Sequence, residues 1–404
     1  MENDSTSSIA STAIEAGGKL TVTPTDRISS ISAADWNHCS GADNPFISHG
    51  FLNALETSGS ASRQTGWQPH HLVLRDTAGQ IRAVMPMYLK SHSYGEYVFD
   101  HSWAHAWQQA GGAYYPKAQA AVPFTPVPGP RLLVAEDAPA GTFEELANAA
   151  CQFAESLGLS SLHITFLQQD EVQKLDGLGA MSSGERWIHR LGLQFHWFNE
   201  GYADWDAFLD QLASRKRKML RRERRAVRDA GIRFQQLRGA ELKSHHWDQF
   251  YAFYLATIDR KWGGAYLTRE FFEEIHHHMS ERILLILAEQ DGEVIAGALN
   301  FIGADTLYGR NWGCSRDIPF LHFETCYYQA IDAATEMGLK RVEAGAQGMH
   351  KVQRGYIPAL THSMHYIPHS GFARAVRDFT RREAAAIYEE AEALAQYTPY
   401  RKPD

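Results

Sequence analysis

Cysteine is scarce in this sequence: four residues in 404, at positions 39, 151, 314 and 326, with no CxxC pair. That argues against a disulfide framework and a cysteine-rich zinc site, and it suits a reducing cytoplasm. No apolar run approaches the roughly 18 residues that a membrane span needs. The opening "MENDSTSSIASTAIEAGG" has neither a basic n-region nor an apolar h-region, so residues 1–19 read as a disordered leader rather than a signal peptide. Several signatures are missing altogether. Without GxxxxGK[ST] or GxGxxG, neither P-loop nor Rossmann phosphate binding is supported. Without GxSxG there is no serine elbow, and without HExxH there is no zincin pair. His101 and His105 stand four apart, but the "HHH" at 276–278 spreads over different faces of a helical stretch. No metal site is expected.

What is present is an average globular composition, 44% hydrophobic and 21% charged, on a chain long enough for two domains. The net charge of −8 disfavours generic nucleic-acid binding. Its distribution is uneven. Residues 214–228, "SRKRKMLRRERRAVR", hold nine basic residues and one acid, so +8 sits on one segment and −16 on the remainder. The segment reads as a helix, with Leu209, Leu212, Met219, Leu220 and Val227 on one stripe and Gly231 as its stop. Nine cations repel one another on a short helix unless an anion relieves them. The alternative is a solvated charged face.

The chain also repeats itself. "HLVLRDTAGQIRAVMPMYLKSHSYGEY" (71–97) and "LLILAEQDGEVIAGALNFIGADTLYGRN" (284–311) each give a strand, a turn ending in Gly79 or Gly292, a second strand and a Tyr-Gly pair. Downstream, "FAESLGLSSLHITF" (153–166) parallels "AATEMGLKRVEAGA" (333–346). Upstream, "NPFISHGFLNALE" (44–56) parallels "YLTREFFEEIHHHM" (266–279). The first unit is expected over 20–195 and the second over 196–370, with a helix and tail over 371–404. The strand "KRVEAGA" runs into "GAQGMHKVQRGY" (345–356). There Gly345 and Gly348 permit positive φ and converging N–H groups, Lys351 adds a point charge and Arg354 a bidentate fork. The turn is either a cradle for an anion or a solvated bend. "YGEYVFDHSWAHAW" supplies Glu96, Asp100 and His101 as acid or base candidates.

A twice-repeated helix–helix–hairpin–strand–helix–strand unit resembles a tandem GNAT-type acyltransferase fold. This is an α+β class with mixed central sheets flanked by helices. "NPFISHGFLNALE", "HSYGEYVFD", "YYPK", "VPFTPVPGPRLL", "LHFETCYY" and "GAQGMHKVQRGY" resemble, over about residues 30 to 390, a Fem-like family of N-acyltransferases concerned with peptidoglycan biosynthesis or recognition. The resemblance implies a donor lying in a split between two central strands, with backbone amides polarising its carbonyl. It implies acyl-CoA or aminoacyl-tRNA as co-substrate, no tightly bound cofactor, and an amine acceptor such as a cell-wall precursor. A Q/RxxGxG/A acetyl-CoA signature and the long coiled-coil insertion of some Fem enzymes are both absent. By position the resemblance suggests Arg217, Arg221 and Arg222 of the basic helix and Lys351 as phosphate contacts.

Within this reading Lys351, Arg354, Gly345, Gly348 and Arg310 bind substrate. Glu343, Tyr308, His322, Glu324, His350, Asp100 and His101 are the candidates for base, acid or orientation. Two other readings stay open. One is a non-catalytic module on the same fold that recognises a phosphorylated precursor or RNA, led by the basic helix. The other is a structural protein associating through the helix 372–395. Oligomeric state and the identity of the catalytic copy are not legible.

Overall fold

A computed structural model describes residues 14–16, 20–181, 186–259, 264–345 and 348–401. Ten strands come from the first half: β1 (Ile14–Ala16), β2 (Leu20–Thr25), β3 (Trp67–Pro69), β4 (His71–Asp76), β5 (Ile81–Met85), β6 (Met87–Lys90), β7 (Lys117–Ala120), β8 (Leu133–Val134), β9 (Leu162–Leu167) and β10 (Ile188–Phe198). Six follow: β11 (Arg233–Arg238), β12 (Ile283–Gln290), β13 (Glu293–Ile302), β14 (Thr306–Cys314), β15 (Arg341–Glu343) and β16 (Ile357–Tyr366). Together with the helices between them they make a mixed α+β fold. The leader reading is corrected at 14–16, which pair with β2; the rest of 1–19 lies outside the described residues.

Local chemistry accounts for the hairpins. β12 is apolar and buried from Ile283 to Ala288, as suits a strand covered on both faces. It turns into β13 through Asp291-Gly292, both at positive φ, the two-residue turn whose twist matches antiparallel strands. In the first half the corresponding strand is cut in two at Pro86, which has no N–H for a sheet ladder. β5 stays in a five-stranded sheet ordered β1-β2-β4-β5-β8, and β6 passes to an eleven-stranded sheet.

The large sheet runs β11-β12-β13-β14-β15-β10-β16-β9-β7-β6-β3 and joins the two halves. β9 pairs in parallel with β7, and β15 in parallel with β14. The strand that follows each of these crosses over. β10 follows β9 but pairs with β15, while β16 follows β15 but pairs with β9. β10 and β16 pair with each other through the middle. The expected boundary between 195 and 196 therefore falls inside β10. The exchange also corrects the Tyr-Gly correspondence. Register matches Gln119–His163 of the first half to Tyr308–Glu343 of the second, whereas Tyr94 lies in a loop before β7.

Equivalent helices of the two halves meet face to face. Ser48 caps His49–Thr57 and Thr268 caps Arg269–Met279, each accepting from a backbone N–H three residues on. Phe51 and Phe271 touch edge to face between them, in a core shared by both halves. The C-terminal helix Ser370–Ala395 lies against β10 and β16. Glu383 forks onto Arg190 at 2.7 and 2.8 Å, and Phe372 stacks on Trp107. Phe372, Val376 and Leu394 are thereby buried within the chain rather than left for association.

Met364 of β16 is fully buried in the core of the first half. Met364→Ala is expected to cost about 2–5 kcal/mol. Because β16 belongs to both halves, denaturant unfolding of this variant should remain one transition. Two separated transitions would show that the exchange does not couple them.

Candidate active site

β14 and β15 pair for only three residues, Thr306–Tyr308 against Arg341–Glu343. β15 then ends while β14 runs on to Cys314, so the sheet opens. The chain after Glu343 leaves at Gly345, at φ 80°, and returns as the 3-10 helix Met349–Arg354. That short helix is closed by Gly355, at φ 93°, where a Cβ would stand 2.7 Å from the Phe208 ring. On β14 a bulge adds a residue: Leu299 faces Asn311 and Asn300 faces Gly309, leaving Arg310 as the extra one. A cleft of about 790 Å³ fills the opening. Gly309–Trp312 form one wall, and Gly348, His350, Lys351 and Tyr327 another. Tyr97 and Phe124 reach in from the first half.

The electrostatics of this cleft are one-sided. Among the described residues its lining includes Arg310, Lys351, His322 and His350 and no carboxylate. Lys351 is 2% exposed, and its Nζ donates to the Gly345 carbonyl at 2.8 Å. Burial pulls its pKa from 10.5 down to about 8. Arg310 donates to the Phe124 carbonyl at 2.7 Å, and burial lowers its pKa too. Among the described residues neither cation has a carboxylate within ion-pair distance. His350 shares a 2.9 Å hydrogen bond with the Tyr327 hydroxyl. Burial, then Lys351 and Arg354, hold it below the usual histidine range, so it is neutral at pH 7. His322 packs its ring on Trp312 and Tyr327.

Glu343 and Tyr308 stand behind the cleft rather than on its lining. Glu343 is buried beside Arg341 at 3.2 Å, and burial pushes its pKa up to about 7. Its Oε2 has no hydrogen-bond partner among the described residues. Tyr308 packs edge-on to Phe46, and burial followed by the Glu343 charge raises its pKa to about 12.

Other candidates lie elsewhere. Arg354 was expected to fork onto an anion, but its donors are taken by Glu223 of the basic helix at 2.9 and 3.0 Å, and its plane covers Phe323. Glu223 also accepts from Tyr328. Glu324 sits under the basic helix, 3.1 Å from Arg224. Asp100 is buried with Lys117 and the Tyr114 hydroxyl, partners from the first half, and His101 is exposed beside Phe99 and Tyr94. Within the turn itself, Ala346 and Gln347 lie outside the described residues.

The basic helix spans Ser214–Asp229. Leu220, Glu223 and Val227 face inward, while Leu209 and Leu212 belong to the helix and turn before it. Arg217 and Arg221, expected to face phosphate, are paired with Asp210 at 3.1 Å and Asp206 at 3.0 Å. Among the described residues Arg222 has no such partner. With Arg215, Lys218 and Arg225 it forms an exposed row spaced three, four and three residues apart, one face of the helix. Among the described residues no group of three or more His, Cys, Asp or Glu is placed to hold a metal ion, and no helix is long and apolar enough to cross a membrane.

Comparison with known proteins gives this geometry a context. A family model for FemAB-like proteins, described as peptidoglycan biosynthesis/recognition, matches residues 27–402. No curated protein matches the sequence. Among solved structures, FemX is similar at 12% identity and a TM-score of 0.53, covering 86% of this chain and 98% of its own. The C-terminal domain of a putative lysylphosphatidylglycerol synthetase from Agrobacterium fabrum gives 11%, 0.51, 86% and 96%. A tandem GNAT protein from the clavulanic acid biosynthesis pathway gives 10%, 0.45, 86% and 98%.

Removing one partner of a buried ion pair strands the other charge. Glu223→Gln is expected to cost about 3–5 kcal/mol in denaturant unfolding. Adding Arg354→Met to it should recover part of that loss; a further loss of the same size would mean the two residues act independently. Lys351 works in the opposite direction. Its folded pKa lies below its unfolded one, so its charge destabilises the fold fully below about pH 8, and the penalty fades as pH rises toward 10.5. Lys351→Met is therefore expected to raise the melting temperature at pH 7 and to lose that advantage by pH 10.5. A gain independent of pH would contradict the buried-charge account.

Proposed function

The chain belongs to the FemAB-like family of peptidoglycan biosynthesis/recognition proteins, which are acyl- and aminoacyltransferases on a tandem GNAT-like fold, and from that premise we propose how its cleft carries out the transfer. The observation that carries the reading is the buried Lys351 and the half-buried Arg310 in a cleft with no carboxylate among the described residues of its lining. A neutral amine attacks the donor carbonyl carbon, charge develops on the carbonyl oxygen, and the bond to the donor's leaving group breaks. Lys351 faces that developing charge in a site of low dielectric, where a fixed cation is worth most. His350, neutral at pH 7, takes the proton released by the amine. Amide bond and protonated leaving group are the products, and no covalent enzyme intermediate is needed.

We assign the donor to aminoacyl-tRNA rather than acyl-CoA. The row Arg215, Lys218, Arg222 and Arg225 presents four exposed cations, with no ion-pair partner among the described residues, over about 15 Å of helix at 1.5 Å per residue. That length matches a run of phosphates. The row is joined to the cleft through Glu223 and Arg354, which tie the basic helix to the short helix carrying His350 and Lys351. The acceptor is then an amine on a cell-wall precursor, met in the cytoplasm.

Three outcomes check this. Lys351→Met is expected to lower kcat by about 10²–10³ with the fold intact. The wild-type rate should rise as pH climbs through the depressed His350 pKa, below 6.5, and fall again above about 8 as Lys351 loses its proton. Lys351→Arg should remove the alkaline limb, and an unchanged limb would take Lys351 out of the reaction. For the donor, replacing all four cations of the row by Gln should reduce the salt dependence of tRNA binding by about three ions. Binding of acyl-CoA with no tRNA affinity would make the donor a thioester instead.

A further inference from the structure

Arg310 is more elaborately held than a phosphate contact requires. It is the extra residue of the β14 bulge, so its side chain is aimed by the bulge and not by the ordinary alternation of the strand. Among the described residues one of its five N–H donors is used, on the Phe124 carbonyl. Phe124 is itself at φ 58° and Tyr97 at φ 60°, two non-glycine residues in the left-handed region. Both line the cleft, and both come from first-half loops locked together by the Phe124 N–H on the Gly95 carbonyl at 3.2 Å. A Cβ on Gly95 would stand 2.6 Å from the Phe124 ring, so the packing leaves no slack. Strain of this kind persists where it positions something. Tyr266 stacks on Phe124 at 4.9 Å and remains 38% exposed, which puts an aromatic ledge at the mouth of the cleft.

The result is one guanidinium with unused donors, walled by rings. The nearest carboxylate felt by it, Glu343, lies beyond ion-pair distance and is engaged with Arg341. Among the described residues no lysine pairs with the groups at this end and no N–H nest converges on it, so a dianionic phosphate is poorly served. A monoanion accepting a two-pronged fork fits. We propose that Arg310 receives a carboxylate carried by the acceptor, so that the amine used by this cleft belongs to an amino acid or peptide with a free carboxylate. The inference rests on the cleft being the transfer site. It divides the cleft: Lys351 and His350 serve the reacting carbonyl, and Arg310 with Tyr97 and Phe124 selects and orients the acceptor.

The test is direct binding, with no donor present. The probes are the peptide Ala-Lys-Ala and its C-terminal amide, followed by ligand-detected NMR on the full chain. Wild type should bind the acid at least about tenfold more tightly than the amide, the loss expected for one charge-assisted fork. Arg310→Gln should bind both equally, and Arg310→Lys should keep only part of the preference, since a lysine is a point charge without the fork. Lys351→Met should leave the preference intact. Equal binding of acid and amide by wild type, an undiminished preference in both Arg310 variants, or failure of either peptide to bind would each overturn the proposal. Donor binding is read separately. A carboxylate preference without tRNA or acyl-CoA binding would keep the subsite and remove the transfer reading, and the reverse would remove only the subsite.

Discussion

Three residues of parallel pairing between β14 and β15 govern everything around the cleft. A longer ladder would close the sheet; a shorter one would leave β15 with nothing to hold it against β14. Beyond Glu343 the edge of β14 that faced β15 has no strand beside it, while its other edge stays paired with β13. Buried backbone polar groups need partners. A ligand whose carbonyl and amide groups lie along the opening can supply them. Lys351 lines the same opening, so geometry and charge there select for the same kind of occupant, an activated acyl donor.

Strand exchange explains why one chain needs two copies of the unit. β10 and β16 each complete the other half's sheet, so neither half closes its own. The exchange brings first-half loops over the second-half opening, with Tyr97 and Phe124 as its far wall. The first half does not repeat the site. At the position matching Tyr308 and Glu343, Gln119 and His163 sit beside a buried group of Lys117, Asp100, Tyr114 and Glu96. Lys90 stands 3.9 Å from Glu96, so two cations there meet two carboxylates, whereas in the second half Arg310 and Lys351 have no carboxylate within ion-pair distance among the described residues. The copies share a strand plan and differ in electrostatics.

Much of the fold was legible because it is periodic or local. The Asp291-Gly292 turn, the capped aromatic helices and the basic helix are each written within a few residues, and so is the glycine-flanked turn holding Lys351. What was not legible is set by partners far along the chain. Arg354 looked like a free fork until Glu223, 131 positions away, took its donors. Arg217 and Arg221 looked equal to Arg222, and only the placement of Asp210 and Asp206 distinguishes them. Glu324 and Asp100 read as catalytic carboxylates because composition does not reveal that Arg224 and Lys117 already hold them. Tyr97 and Phe124 had no signal beyond aromaticity, since their backbone strain exists only once the loops are packed.

The central claim is that transfer takes place where β14 leaves β15. Hydrogen exchange of the chain with aminoacylated and with uncharged tRNA tests it most directly, because the two ligands differ only at the reacting end. The account requires extra protection at 309–312 and 349–354 with the aminoacylated form, added to protection of 214–229 that both forms share. Protection confined to the basic helix, identical for both, would mean that the cleft does not receive the acyl group.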